Sequence, residues 1–146
     1  MTENGFLSVL MADDDEDDCL LARSAFEEAN MPGKLLLVAD GKELMEYLHR
    51  EGSFSDPEQA PRPDLILLDL NMPRKDGREA LKEIKADREL RHIPIVILTT
   101  SSERRDVELC QRAGAASFIT KPNDFHEWVE IVKSLVINLH IQGEDK

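Results

Sequence analysis

Five side chains carry most of the chemistry this sequence offers. They are Asp13 and Asp14 in "LMADDDEDD", Asp69 in "LILLDLNMP", Thr99 in "VILTT" and Lys121 in "FITKP". Each directly follows, or closes, an apolar run that reads as a strand. In an open α/β sheet, the residues beyond the carboxyl ends of the strands meet in one crevice where strand order reverses. Three carboxylates gathered there conflict, because each disfavours ionisation of the others. A hard divalent cation removes the conflict: Mg²⁺ takes one or two protein carboxylates and keeps waters and phosphate oxygens as its other ligands. The lysine supplies a point charge for a phosphoryl oxygen, and the threonine hydroxyl can donate to another. Such a set suits phosphoryl transfer to a carboxylate nucleophile, where catalysis is mostly positioning and charge neutralisation. Taken one at a time, the residues have plainer readings, as a solvated acidic face or as caps of the next helix. The joint pattern favours a site, and so does Asp69, which is followed by "LNMP" rather than by an immediate helix.

The elements that must position these residues alternate five times. Apolar runs at Phe6 to Ala12, Lys34 to Ala39, Asp64 to Leu70, "IPIVILTT" and "SFIT" read as strands. Helical spacing of apolar residues follows each one. The first helix runs from about Asp17 to Asn30 and ends at Pro32-Gly33. "DGKE" opens the second, with Asp40 as N-cap and Glu43 as the reciprocal acceptor. The third buries Gly77, Ala80, Leu81 and Ile84. Ser101 and Ser102 offer caps for the fourth, which ends at Gly114. Asn123 or Asp124 opens the last helix, whose Phe125, Trp128, Val129, Val132, Leu135, Val136 and Leu139 share one face. Residues 50–63 carry three prolines and no periodicity, as a surface loop does. Uniformly apolar strands are those covered on both faces, so the expectation is a parallel, doubly wound sheet. Residues 1–146 read as a single domain with its core over about 6–140.

Composition narrows the function classes. A net charge of −12 over 146 residues argues against nucleic-acid binding, which needs a basic face, and against anionic membranes. No apolar stretch reaches the roughly 20 residues that span a bilayer, and the N-terminus lacks the features of a signal peptide. A cytoplasmic protein is expected. Cys19 and Cys110 form no disulfide framework or zinc pattern and read as buried small residues.

"LMADDD", "LILLDLNMP", "VILTTS" and "FITKP", in that order, resemble the receiver domain of two-component response regulators. The resemblance implies a flavodoxin-like sheet of five parallel strands in the order 2-1-3-4-5, with five helices. It also implies that Asp69 is the phosphoacceptor, that Asp14 ligates Mg²⁺ (or Mn²⁺), and that Asp13 holds metal-bound water. Asn71 would ligate the metal through its backbone carbonyl, and Thr99 and Lys121 would bind the phosphoryl group. Phe118, three residues before the lysine, would be the aromatic switch residue partnered with Thr99; an aromatic in a short strand can also be plain core. Pro122 resembles the family's cis-peptide site. On this reading the acidic run divides: Asp13 and Asp14 belong to the cation site, Asp15 to the loop, and Glu16, Asp17 and Asp18 to a helix start, where the macrodipole favours negative charge.

The long loop before the third strand, "PDLILLDLNMPRKDGREALKEIK" and "VILTTSSERRDV" are similar to the regulators paired with bacterial and cyanobacterial phytochromes. The implied partner is a sensor histidine kinase of that type. The implied activity is not that of an enzyme on external substrates but only the chain's own phosphorylation and dephosphorylation. An EF-hand loop from Asp13 fails, because it needs glycine and glutamate where Asp18 and Ser24 stand. A flavin carrier would need a phosphate loop free of acids, and a haloacid-dehalogenase-type phosphatase a second acid where Asn71 stands. A phosphorylation-independent receiver-like scaffold remains the non-enzymatic alternative. Little chain follows Leu139, so output is expected through protein–protein contact, as a homodimer using the last helix. Ile131, Ile137 and Ile141 fall outside that helix's core stripe and would be either an interface or scattered surface residues.

Overall fold

The computed structural model describes residues 7–30 and 33–144, with side-chain surroundings as far as Ile137. Phe6 and Pro32, and the side chains of Leu139 and Ile141, lie outside the described set. Five parallel strands, β1 (Leu7–Ala12), β2 (Gly33–Val38), β3 (Leu65–Leu68), β4 (Ile95–Thr99) and β5 (Ser117–Thr120), form a sheet in the order β2-β1-β3-β4-β5. The connecting helices are α1 (Glu16–Glu28), α2 (Gly41–His49), α3 (Gly77–Ala86) and α4 (Arg104–Ala113), and α5 (Phe125–Glu144) follows β5.

Strand alternation divides the core into two layers. Leu10, Ala12, Ile66, Leu68, Ile95 and Ile97 face α2, α3 and α4, where they meet Leu44, Leu81, Ile84 and Cys110. Leu7, Val9, Met11, Leu65, Leu67, Val96 and Leu98 face the other way, onto Ala22, Ala25 and Phe26 of α1 and Trp128, Val132 and Val136 of α5. Because both faces are covered, β1, β3 and β4 read as continuous apolar runs. β5 lies at the sheet edge, with Ser117 and Thr120 exposed and Phe118 and Ile119 half-buried.

Local signals explain most helix starts. Asp40 accepts from Glu43 N at 2.9 Å, and the Glu43 carboxylate in turn accepts from Ala39 N at 3.0 Å. Asp15, expected to be plain loop, caps α1 by accepting from Asp18 N at 3.1 Å. Asp124 caps α5 by accepting from Glu127 N at 2.8 Å.

Several expectations are corrected. Neither Ser101 nor Ser102 is the N-cap of α4: that position is Glu103, whose side chain makes no capping bond, and the Ser101 hydroxyl donates to Asp106 at 2.7 Å instead. Phe125 is 38% exposed and so stands off the core face of α5. Ile131 is half-buried and lines the small apolar space between α5 and the sheet rather than standing free. Cys19 is only half-buried, whereas Cys110 is buried as expected. The bond before Pro122 is trans, since no described peptide is cis; trans is the lower-energy isomer for X-Pro by about 0.5–1 kcal/mol. The loop over 50–63 carries a short 3-10 turn at Gly52–Phe54, where Phe54 packs on Tyr47 with ring centroids 5.3 Å apart.

Candidate functional site

Sheet order accounts for the convergence of the acids. β1 sends the chain to β2 on one side and pairs with β3 on the other, with Ala12 opposite Leu68. The next residues, Asp13 and Asp69, therefore leave adjacent strands side by side. Asp69 N donates to Ala12 O, and Asp13 N to Val38 O, both at 3.1 Å. Thr99 ends β4 opposite Thr120 of β5, and Lys121 N donates to Thr99 O at 2.8 Å, which places the lysine over the same edge.

The Asp13 and Asp69 side chains are buried and Asp14 is exposed. One carboxylate oxygen from each lies within 4.8 Å of the others, a span a single cation can bridge. Lys121 reaches into this group. Its Nζ lies 2.7 Å from Asp13 Oδ2, 2.7 Å from Asp18 Oδ2 and 3.4 Å from Asp69 Oδ2. Asp18 thus does more than favour the helix dipole: it is a third carboxylate on the same ammonium, beside Asp13 and Asp69. A sequence signal for it existed only in hindsight, as an acid in the first turn of the helix that follows the site.

Burial pushes the Asp13 carboxyl up to about 6, against the pull of Lys121 and the Asp15 N–H. Burial likewise disfavours the Lys121 ammonium, but Asp13 and Asp18 outweigh it and hold the lysine firmly protonated. Asp13, Asp18 and Asp69 thus share one permanent cation, with Asp14 beside them. Asp13 Oδ2 is close to Lys121 yet receives no well-directed hydrogen bond. A buried oxygen left so, beside two further oxygens, suits a hard divalent cation. Burial pushes the neighbouring Cys19 thiol up to about 11, with Asp13 adding to the effect, so it is no reactive thiolate.

The loop leaving Asp69 is fastened along its length. Gly77 N donates to Leu70 O at 2.9 Å and Gly41 N to Lys75 O at 3.1 Å. Arg74, left-handed at φ 64°, donates through Nε to Asp40 Oδ2 at 2.8 Å. The helix cap Asp40 therefore also anchors the loop that leaves Asp69, a second duty its sequence position does not reveal. Asn71 follows Asp69 closely, its N–H 3.5 Å from Asp69 Oδ1.

Thr99 is fully buried, and its Oγ1 is 3.4 Å from Ser101 N. Phe118 is half-buried against the α3–α4 core layer. The structure therefore gathers Asp13, Asp14, Asp69 and Lys121 into one cluster, with Thr99 and Asn71 at its margin. Phe118 belongs to the next strand rather than to the cluster.

Known proteins are similar to this chain in sequence and in fold. The protein Rcp1 of Synechocystis sp., described as a response regulator, is 35% identical over 127 residues, which are 87% of this chain and 84% of Rcp1. The crystal structure of the Mn²⁺-bound form of Rcp1 superposes with a TM-score of 0.79 at 34% identity, covering 88% of this chain and 91% of that one. That of the phosphorylated cyanobacterial phytochrome response regulator RcpA gives 0.81 at 38% identity, covering 89% and 91%. The sequence pattern of the response regulator receiver domain matches residues 9–133, which include every residue of the cluster. With the family pattern matching residues 9–133 and a relative 35% identical over 87% of the chain, the chain belongs to the response regulator receiver family.

Proposed function

We propose that the chain accepts a phosphoryl group on Asp69 from a sensor histidine kinase, of the phytochrome type, and signals by protein contact. The observation that carries this is the placement of Asp69: buried at the end of β3, sharing a cation-sized cluster with Asp13 and Asp14, and 3.4 Å from Lys121. An Asp69 carboxylate oxygen attacks phosphorus. The bond from phosphorus to the donor nitrogen breaks, and the nitrogen keeps the electron pair. Lys121 and the Thr99 hydroxyl then face the oxygens of the new acyl phosphate. Attack of water on that phosphorus releases inorganic phosphate and restores the carboxylate. No external substrate is turned over.

Asp14 and Asp69, with the Asn71 carbonyl, would hold Mg²⁺ or Mn²⁺, and Asp13 would hold a water of that ion. The bound ion would offset the negative charge of donor and acceptor. The phytochrome pairing is supported by the likeness to Rcp1 and RcpA. Phe118 would follow Thr99 as the switch residue. The exposed Ile137 on α5 supports a homodimer through that helix. Among the described residues no helix is long and apolar enough to cross a membrane, and the charge of −12 disfavours nucleic acid. A cytoplasmic location fits both.

The test is incubation with acetyl phosphate, with and without Mg²⁺ and a chelator, followed by mass-spectrometric mapping of the adduct. Phosphate on Asp69 alone, lost on chelation, is expected. Equal labelling of Asp69→Asn would overturn the assignment.

A further inference from the structure

We propose that Arg78 and Asp106 are positioning residues for the chemistry at Asp69, their ion pair fixing how the Thr99 hydroxyl is held relative to that carboxylate. This rests on the reading of Asp69 as the acceptor.

The pair is built as a fork. Arg78 Nε donates to Asp106 Oδ1 and Nη2 to Asp106 Oδ2, each at 2.8 Å. Ser101 Oγ donates to the same Oδ2 at 2.7 Å, and Arg78 Nη1 donates to Asp76 Oδ2 at 3.0 Å. Asp106 is only 7% exposed, although it lies in the first turn of a surface helix. An acid that is buried and bound by three donors differs from an exposed pair, which is worth little. Two parallel bonds also fix orientation, which a single contact does not.

Each end of the pair is tied to the site. Arg78 follows Gly77, which lies so close to the Asp69 carbonyl that a Cβ there would come within 2.1 Å of its oxygen. At the other end, the N–H of Ser101 is 3.4 Å from Thr99 Oγ1. A chain of contacts thus runs from the Asp69 backbone through Gly77, Arg78, Asp106 and Ser101 to Thr99.

The sheet does not do this work by itself. β3 and β4 pair as far as Leu68 and Ile97, and residues 100–103 lie beyond the strand end. Glu103 makes no capping bond that would hold the start of α4. On its open side, this segment borders a crevice of about 720 Å³ lined by Asn71, Thr100, Ser102 and Leu109 together with the pair. The Thr99 backbone is held in β4 by its pairing with Thr120 and by the Lys121 N–H, but without the pair the segment carrying Ser101 has room to move, and the N–H beside the Thr99 hydroxyl moves with it.

Phosphoryl transfer depends on such placement, since a misplacement of about 1 Å can cost up to about 10²-fold in rate. The test compares wild type, Asp106→Asn, Arg78→Gln and the double variant, using the full chain, acetyl phosphate and Mg²⁺, well below the melting temperature. In this reaction the Asp69 oxygen forms the bond to phosphorus and acetate departs with the electron pair. Each single variant is expected to lower the maximal rate about tenfold. The half-saturating concentrations of acetyl phosphate and Mg²⁺ should stay within about twofold, as expected when placement rather than binding is lost. The double variant should be no slower than the worse single one, because the two groups act as a unit. Arg78→Lys, which keeps the charge but loses the fork, should fall between, and it serves as the second variant should Asp106→Asn not fold. Arg104→Gln, which removes the exposed pair with Glu108, should match wild type. Maximal rates near wild type with the adduct on Asp69, or losses no larger than the unfolded fraction, would overturn the positioning role alone. An adduct on another residue would overturn the acceptor reading and this proposal with it.

Discussion

Lys121 donates to Asp18 Oδ2 at 2.7 Å, across 103 residues of sequence. The same ammonium stands farther from Asp69, at 3.4 Å. The lysine therefore rests on the side of the cluster formed by Asp13 and Asp18, and Asp18 should compete with an incoming phosphoryl group for it. Asp18→Asn removes a competing charge that is partly solvent-screened, so the expected gain is modest, about threefold or ~0.7 kcal/mol. The measurement is the phosphorylated fraction by intact mass spectrometry at a fixed, subsaturating donor concentration. A fraction equal to or below wild type would refute the competition.

The raised Asp13 carboxyl gives a pH dependence with a definite sign. Between the ordinary value of 3.8 and about 6, the folded state holds a proton on Asp13 that the unfolded chain has released. In that window Asp13 makes stability fall as pH rises, with no further loss above about pH 6. A cation needs the carboxylate, so its binding must displace this proton below about pH 6. Mg²⁺ affinity should therefore fall as pH drops through that value, approaching about tenfold per unit, and level off above it. Calorimetric titration at several pH values, in buffers of different ionisation enthalpy, reads both the affinity and the released proton. An affinity unchanged between pH 5 and pH 7 would show that Asp13 does not sense the ion.

Gly77 is constrained by contact rather than by dihedral angle. A Cβ would meet Asp69 O at 2.1 Å and Leu70 Cα at 2.7 Å, both rigid backbone. Gly77→Ala must push α3 away from the acceptor loop, at about 1–3 kcal/mol of stability, as overpacking costs elsewhere. Chemical denaturation measures that loss, and phosphorylation should slow in the fraction that remains folded. A variant as stable as wild type would mean that the loop yields at no cost.

Thr99 and Phe118 should separate acceptance from response. Phosphorylation adds charge and acceptor oxygens, which should draw the Thr99 hydroxyl toward Asp69 and so vacate space for the Phe118 ring. The change is a shift of population between existing arrangements. Thr99→Ala should still take phosphate on Asp69, while losing the change in amide exchange over α4 and β5. Identical exchange responses in variant and wild type would remove Thr99 from the coupling.

Ile137, half exposed on α5, should mark the dimer contact. Ile137→Glu is expected to weaken self-association at least tenfold, an order-of-magnitude effect for a charge placed in an apolar contact. The melting temperature should change little. Sedimentation over a concentration series, with and without a phosphoryl analogue, reads the result; an unaltered association constant would place the contact elsewhere.

The alternation of apolar runs with helical stripes was enough to give five strands, five helices and a doubly wound sheet, because each signal is local. A strand buried on both faces must be apolar throughout, and a helix on one face must be apolar every three or four residues. Asp13, Asp14, Asp69, Thr99 and Lys121 were legible for the same reason: strand ends are visible in sequence, and parallel strands place their carboxyl ends together. Asp18, Asp40 and Asp106 were not. Each sits in or at the start of a helix, where an acid satisfies the dipole or a cap and so has a sufficient local explanation. Their further partners, Lys121, Arg74 and Arg78, are 103, 34 and 28 residues distant. Which helix start faces which loop depends on how α1 to α4 are set against the sheet, and no periodicity encodes that. Phe125 and Ile131 make the same point from the apolar side. Helical spacing located the face of α5, but only packing against α1 and the sheet decided where its edges fall.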